Sequence, residues 1–600
     1  MLARHEGPSE PPPPPTAWAF GYAFVTLDDD QKLRRRELLE WYPFVAQLSV
    51  LAVLALFQLG FLLSWLGRRG LEHEPPKSPS LDKRGHGKKT WLRKSRQNVH
   101  RILWWMKKPV VSNWGTRGEW VGGVIWTVWL LYLSIAQTGN DYFHLTKRFG
   151  IIGASQLPLH YLLAMRTPYS PIQFLTRLSH EELKASHQIL GRIVFFLFAL
   201  HAALYLNLFV LFGVLAKRIK DLDVIWGVIS IIMFCAISTT ALGLIRRWNY
   251  RVFYTSHVVI ANLVVITLFF HVSHIRLYLY QVVAVIALHL VFRTFRLKTY
   301  SGTIKLLSGT NLVQIRIPLA TNSALAWKPG QHVYLSRPVG ASYSGSYYDQ
   351  LMLRNQTNPF SVASIPAKDK ELLLVAKTLN GNTKKLAELA RTLSSTGSNE
   401  VPDIPLALEG PYGASTRLPD FSTFDSVLLV AGGVGATFIM PIYRSIVDSH
   451  GPNHAGSPQI RFIWAVQKLA DTQWAFPATT DNEGQEDPST PSKSSAVEVF
   501  VTRPSGPSLH AGEPGDEIEL AEDDQLLSME EQMERPRRGM VLGSGRPNVP
   551  AIVDEVFSKG TSVAIITCGP KRLTEQLSRS VEQWVKQGHE VYWHDETFGW

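Results

Sequence analysis

Cysteine is nearly absent from this chain: Cys235 and Cys568 are the two in 600 residues. Two thiols build neither a disulfide framework nor a cysteine-held metal cluster. The start of the chain has no basic stretch leading into a short apolar core and a small-residue cleavage site. Its first apolar run begins near Phe44, after the acidic Asp28–Asp30 and the basic Arg34–Arg36, and reads as a retained membrane span and not a removed signal peptide. No D-x-D-x-D-G loop occurs, which excludes a switch driven by that type of calcium site. The long apolar runs lie within residues 44–293, and the rest reads as an ordinary globular chain. The net charge of +12 does not point to nucleic acid, because the basic residues gather in loops beside apolar segments and act as topology signals.

Histidine is what the apolar half does contain. His187 and His201 stand 14 positions apart, and so do His257 and His271. Fourteen steps at about 100° per residue fall about 40° short of whole turns, so each pair shares a helix face, separated by about 21 Å along the axis. Ionisable groups inside membrane spans are costly and default to function. Two such helices side by side predict two His–His pairs, His187 with His257 and His201 with His271. Each pair suits one b-type haem near one membrane surface. His274 competes with His271 but lies about 100° off the shared face. His160, His180 and His289 have no partner at 14 and read as packing or interfacial residues.

Seven spans are expected, at about 44–66, 120–137, 148–165, 189–213, 224–245, 254–273 and 276–293, each near the roughly 20 residues that cross the hydrocarbon. The third is interrupted by Pro158 and His160. Residues 67–119 carry 14 Lys/Arg against four acids, and the loops at 166–184 and 246–251 are also basic. In a seven-span chain these three fall on one side, which the positive-inside rule makes cytoplasmic. That puts residues 1–43, with the Pro11–Pro15 run, outside the cytoplasm and without regular structure, and makes 44–293 the haem-bearing bundle.

Beyond Arg296 the pattern becomes short β-type runs such as TYSGTIKLL, NLVQIRIPL and ELLLVAKTL, which predict an antiparallel barrel over 297–415. From 425 to 600, apolar strands followed by helical patterns predict a parallel α/β sheet. Stretches 477–494 and 503–548, rich in Pro, Gly, Ser and acid, read as disordered insertions around VEVFVT. The sequence Ala431–Thr437 (AGGVGAT) sits between a strand and a helix. There Gly432, Gly433, Val434, Gly435 and Thr437 predict a dinucleotide site at a helix N-terminus. Cys568, Gly569 and Pro570 end another strand, at the carboxyl edge where a dinucleotide would lie. In NPFSVAS, Phe360 is expected to cover a flavin ring, with Ser361, Val362 and Ser364 lining it. Gly381 and Thr383 offer a phosphate cradle, and Phe598 and Trp600 a terminal aromatic stack.

The doubled His spacing, WKPGQHVYL, PFSVAS, EGPYG, LLVAGGVGAT, CGP and the aromatic terminus together resemble the ferric reductase / NADPH oxidase transmembrane superfamily, over about residues 120–600. In overall look the chain is most like the ferric-chelate reductases. The resemblance implies a ferredoxin-reductase-like module that binds FAD and NADPH and feeds an inner and then an outer haem b, an electron relay with no covalent catalyst. It departs from the family where Asn358 replaces the usual His of the flavin motif and Gln467-Lys468 replaces an Arg, which leaves Lys468 as the charge for a 2′-phosphate. The expected acceptor is an external ferric chelate at the plasma membrane, in iron uptake. A superoxide-generating oxidase and a non-catalytic haem-bearing scaffold are the competing expectations.

Overall fold

The computed structural model describes residues 21–72, 86–110, 114–167, 169–319, 325–336, 358–379, 382–394, 402–413, 418–449, 458–476, 496–502 and 539–596. The chain forms two compact units. One takes the chain up to Arg84 and Trp105–Phe292; the other takes Gly85–Trp104 and Arg293–Gly599.

The first unit is a helix bundle: α1 (Asp29–Glu72), α3 (Arg117–Ile135), α4 (Tyr142–Ser155), α5 (Leu157–Leu163), α7 (His180–Leu211), α9 (Leu222–Thr240), α11 (Tyr250–His271) and α12 (Arg276–Arg296), with short helices α6 (Pro171–Thr176), α8 (Leu215–Arg218) and α10 (Gly243–Trp248) in the connections. Helix α2 (His86–Lys107) lies between α1 and α3 in the chain. Capping boxes fix two starts: Thr116 with Glu119 on α3, and Ser179 with Glu182 on α7. Among the described residues, six helices are each long and apolar enough to cross a membrane. The expected third span differs. It is not one helix but the pair α4–α5, broken at Gln156, with Pro158 in the first turn of α5. Proline has no N–H for a continuing ladder but is tolerated at a new N-terminus. The pair still covers the bundle's depth. The Thr146 carbonyl on α4 meets His201, and the His160 carbonyl on α5 meets His187. Helix α1 starts at Asp29, so residues 29–43 are helical and not the unstructured segment expected.

These contacts order the bundle. Gly123 of α3 lies against Ile189, Arg166 bonds Tyr254, and Tyr169 packs on Phe292. The loops before α3, after α5 and before α11, and the end of α12, therefore all lie at the His187 end. At the His201 end, Arg35 pairs with Asp141 at 3.0 Å.

The second unit holds two sheets. Strands β1 (Leu297–Leu306), β2 (Leu312–Pro318), β3 (His332–Ser336), β4 (Asn358–Ser361), β5 (Glu371–Lys377) and β6 (Ile404–Tyr412) pair antiparallel in the order β4-β3-β6-β1-β2-β5. A bridge from Val362 to Leu374 joins the two edges, so the sheet is a nearly closed barrel. Its core includes Ile304, Ile315, Val333, Leu374 and Leu408. Strands β7 (Ser426–Gly432), β8 (Gln459–Val466), β9 (Val497–Val501), β10 (Met540–Ser544), β11 (Ser562–Cys568) and β12 (Glu590–Glu596) are all parallel, in the order β10-β9-β8-β7-β11-β12. Their buried runs are covered on two faces by separate apolar clusters, one around Phe438 and Trp464 and one around Val553 and Val581. The chain steps outward from β7 to β10, then returns beside β7 as β11, so the strand order reverses between β7 and β11. Ligands of such sheets bind at the carboxyl ends of the strands beside that reversal.

One expectation is corrected here. The insertion placed at 503–548 does not reach 548, because Met540–Ser544 form β10 against β9 and Asn548 caps the next helix. MVL is too short to read as a strand alone; pairing with VEVFV decides it. Stretch 477–494 and residues 503–538 lie outside the described residues.

Candidate functional site

Helices α7 and α11 run in the same direction, and the rings of His187 and His257 stand 6.4 Å apart, centroid to centroid. His201 and His271 are also 6.4 Å apart. Two metal–imidazole bonds of about 2 Å, each with a ring radius of about 1.1 Å beyond it, put the centroids of two axial imidazoles about 6.3 Å apart. Both spacings therefore fit one iron between two rings. His274 is not in either pair.

The hydrogen bonds select the correct face of three of these rings. His187 Nδ1 lies 3.1 Å from the His160 carbonyl, His201 Nδ1 2.8 Å from the Thr146 carbonyl, and His271 Nδ1 2.6 Å from the Asp223 carbonyl. A carbonyl only accepts, so each Nδ1 carries the proton and each Nε2 keeps its lone pair. That is the tautomer a metal requires, with the outer N–H fixed by the protein. His257 Nδ1 is buried without a protein partner. The His160 ring stacks on His187 at 4.0 Å and 10°, so this histidine packs against a candidate ligand.

Two glycines complete the pairs, and the sequence reading missed them. A Cβ at Gly150 would sit 2.6 Å from the His201 ring, and a Cβ at Gly227 2.6 Å from the His271 ring. Any other residue would push these imidazoles off line. The available signal was an isolated glycine inside an apolar helix, which costs about 1 kcal/mol against alanine and so needs a packing or functional reason.

In the parallel sheet, the strand ends at the reversal touch. A Cβ at Gly432 would overlap Pro570, one at Gly435 would overlap the Cys568 carbonyl, and one at Gly569 would lie 2.9 Å from the Gly432 nitrogen. Gly432, Gly435 and Gly569 therefore serve backbone-to-backbone packing. Gly433 alone has a left-handed backbone, φ +55°, with nothing within 4 Å of its Cβ position. It opens the notch in front of the helix Ala436–Ser449, where backbone N–H groups favour an anion. Val434 and Thr437 turn inward, the Thr437 hydroxyl bonding the Val434 carbonyl at 2.9 Å. Lys468 is exposed, two residues past β8 and so on the same carboxyl edge. Cys568 is 1% exposed. Burial pushes its thiol well above the usual range, so it is a small packing residue here and not a ready nucleophile. Beside it, burial pushes the Asp595 carboxyl up to about 7.

The barrel places the flavin candidates differently from expectation. Phe360 is 7% exposed and packs within the barrel core, so it presents little open ring. Val362 is buried in the bridge to Leu374, and the Ser364 hydroxyl accepts the Leu373 N–H at 3.0 Å. Both hold the barrel closed. Ser361 is the member that fits a ligand: its hydroxyl is buried and has no partner among the described residues. Thr383 accepts the Leu379 N–H at 3.0 Å. Gly381, Phe598 and Trp600 lie outside the described residues.

Comparison with known proteins agrees with this division. Residues 149–268 match the ferric reductase like transmembrane component, 297–416 an FAD-binding domain and 424–582 the ferric reductase NAD binding domain. The chain is 24% identical to ferric reductase transmembrane component 3 of Saccharomyces cerevisiae over 72% of its own length and 58% of that protein. It is 22% identical to a probable metalloreductase of Scheffersomyces stipitis over 85% of its own length and 91% of that protein. It thus spans little more than half the length of several of the yeast relatives it matches. A ferredoxin NADP+ reductase of Neisseria gonorrhoeae, solved with FAD and NADP, matches at a TM-score of 0.29 and 12% identity, over 50% of this chain and 98% of that one. With a multi-pass apolar bundle followed by an FAD-binding barrel and an NAD-binding parallel sheet, the chain belongs to the ferric reductase transmembrane family of oxidoreductases.

Proposed function

We propose that this protein carries electrons from NADPH, across the membrane in which it sits, to an external ferric chelate. The observation that carries the reading is the doubled pair of imidazoles at 6.4 Å, with the outer N–H of three of the four tied to carbonyls. When bound, a flavin and two haems would supply the redox chemistry, two-electron toward the nicotinamide and one-electron toward the irons. The chain's own residues do the rest. His187 and His257 hold one iron, and His201 and His271 the other. Gly150 and Gly227 keep the second pair in line. With both histidines of each pair committed to metal, the acceptor would exchange electrons at the outer site without binding metal. Ser361 donates to the flavin, Gly433 opens the notch for the dinucleotide phosphates, and Lys468 supplies a charge for the 2′-phosphate.

The basic loops support the orientation. All three lie at the His187 end, where α12 also delivers the chain to the FAD- and NAD-binding module. By the positive-inside rule that end is cytoplasmic. The His201/His271 end, with the start of α1, then faces outward. At the plasma membrane the acceptor would be extracellular iron.

The test is NADPH-driven reduction of a ferric chelate by membranes bearing the protein, with and without oxygen and superoxide dismutase. Reduction that persists anaerobically and ignores the dismutase supports the ferric reading. Reduction that requires oxygen and disappears with the dismutase makes the product superoxide and overturns it.

A further inference from the structure

Helix α2 has two faces, and one of them is uncovered. Gln97, Arg101 and Trp104 recur at helical spacing on one side. Gln97 packs on Gly588, the Arg101 guanidinium bonds the Lys586 carbonyl, and Trp104 meets Trp593 edge-on at 5.6 Å. Val99, Ile102 and Leu103 recur at i, i+3 and i+4 on the other side, an apolar stripe, with Met106 at i+7 packed against Gly118 of α3. Val99 is 51% exposed, Ile102 57% and Leu103 49%. From His86 to Lys108 the sequence has no acid and includes Lys88, Lys89, Arg93, Lys94, Arg96 and Lys107.

The C-terminal end of α2 is fixed to the start of a span. Pro109 and Thr116 form a β-bridge, and the Arg117 N–H donates to the Lys108 carbonyl at 2.8 Å. The Arg117 guanidinium lies 5.2 Å from the centre of the Trp105 ring. Trp114 stacks on Trp120 at 5.9 Å, with Arg192 over both. Tryptophans with cations at the entrance of a span mark the headgroup layer. A helix with an apolar stripe, a basic remainder and no acid is built to lie in the plane of an anionic leaflet.

We propose that α2 is an interfacial helix whose Val99–Ile102–Leu103 stripe rests in the headgroup–acyl boundary of an anionic leaflet. Its opposite face meanwhile holds the last strand and last helix of the NAD-binding sheet. The binding chemistry is an anionic phospholipid surface.

The test uses the full-length protein with Cys235→Ser, nitroxide-labelled at Val99→Cys, Leu103→Cys or, as control, Asn98→Cys, in nanodiscs of phosphatidylcholine with phosphatidylserine. Power saturation should show oxygen access exceeding nickel-chelate access at 99 and 103, and the reverse at 98. Dominant nickel-chelate access at 103 places the stripe in water and overturns the proposal. Dipolar broadening between labels shows a second copy on the stripe and overturns it too. In an Ile102→Glu/Leu103→Glu background the label at 99 should become nickel-accessible while bound flavin is unchanged; a label that stays shielded means the stripe does not hold the helix. Replacing phosphatidylserine with phosphatidylcholine should make the label at 99 shallower, and an unchanged depth overturns the anionic requirement.

Discussion

The membrane bundle and the NAD-binding sheet build their candidate sites by opposite means. In the bundle the site is made of large side chains, four histidines in apolar surroundings, each pair brought to the same 6.4 Å. In the sheet it is made by leaving side chains out, with Gly432, Gly435 and Gly569 letting two strand ends touch and Gly433 opening a notch. The solvent explains the contrast. In lipid a polar side chain stands out because it is costly. In a water-soluble sheet, backbone N–H groups can bind the ligand, and bulk is what gets in their way. The two strategies meet at Gly150 and Gly227, where the bundle also uses glycine, here to give an imidazole room.

The comparison breaks most sharply at a histidine. His201→Leu should abolish reduction of an external ferric chelate while NADPH-driven reduction of a soluble dye continues, because the sheet does not depend on the pair. Ferric reduction at the wild-type rate would remove the relay from the proposed function. Gly227→Val should follow closely, since its side chain would occupy the position of the His271 ring. We expect loss of about half of the reduced-minus-oxidised haem absorbance, from the outer pair alone. A full haem complement with unaltered spectrum would show the glycine to be incidental.

Gly435→Val tests the other side. It forces a branched side chain into the Cys568 carbonyl, a strain of about 1–3 kcal/mol. NADPH-driven bleaching of the flavin should slow at least about tenfold, equal to about 1.4 kcal/mol, while dithionite still reduces the haems fully. The smallest effect is expected from Asp595→Asn. Burial holds the Asp595 carboxyl protonated up to about 7 in the folded chain, against about 3.9 when unfolded. The folded state therefore binds the extra proton between those values, and stability falls as pH rises through that window. The variant should unfold at a higher temperature than the parent at about pH 8, by about 2–4 °C per kcal/mol recovered. The two should converge below about pH 4. Equal melting curves at both pH values would mean the carboxyl titrates alike in the folded and unfolded chain.

Much of the fold was legible because its signals are periodic. The 14-residue spacing needs only the pitch of a helix to predict a shared face, and both pairs formed as that predicts. The β-type runs after Arg296 and the strand–glycine–helix order at Ala431–Thr437 were equally readable. Less legible was which way a side chain turns. Phe360, read as a flavin cover, packs in the barrel core, and the Ser364 hydroxyl, read as a donor, accepts the Leu373 N–H. A four-residue strand gives no sign of which alternate face the barrel will close upon. The short MVL run was hidden inside a polar stretch until β9 supplied its partner.

By itself the sequence determined where apolar helices lie, which histidines share a face, which loops are basic and where the glycine turns fall, because each follows from local spacing and composition. Only the tertiary structure decided the rest: that the third crossing is broken at Gln156 yet keeps its depth, and that Thr146, His160 and Asp223 lend carbonyls to three of the four rings. It also decided that Gly150 and Gly227 face imidazoles and that Gly432 faces Pro570. Those facts depend on residues distant in the chain coming together, and no local periodicity encodes which carbonyl or which ring will be opposite.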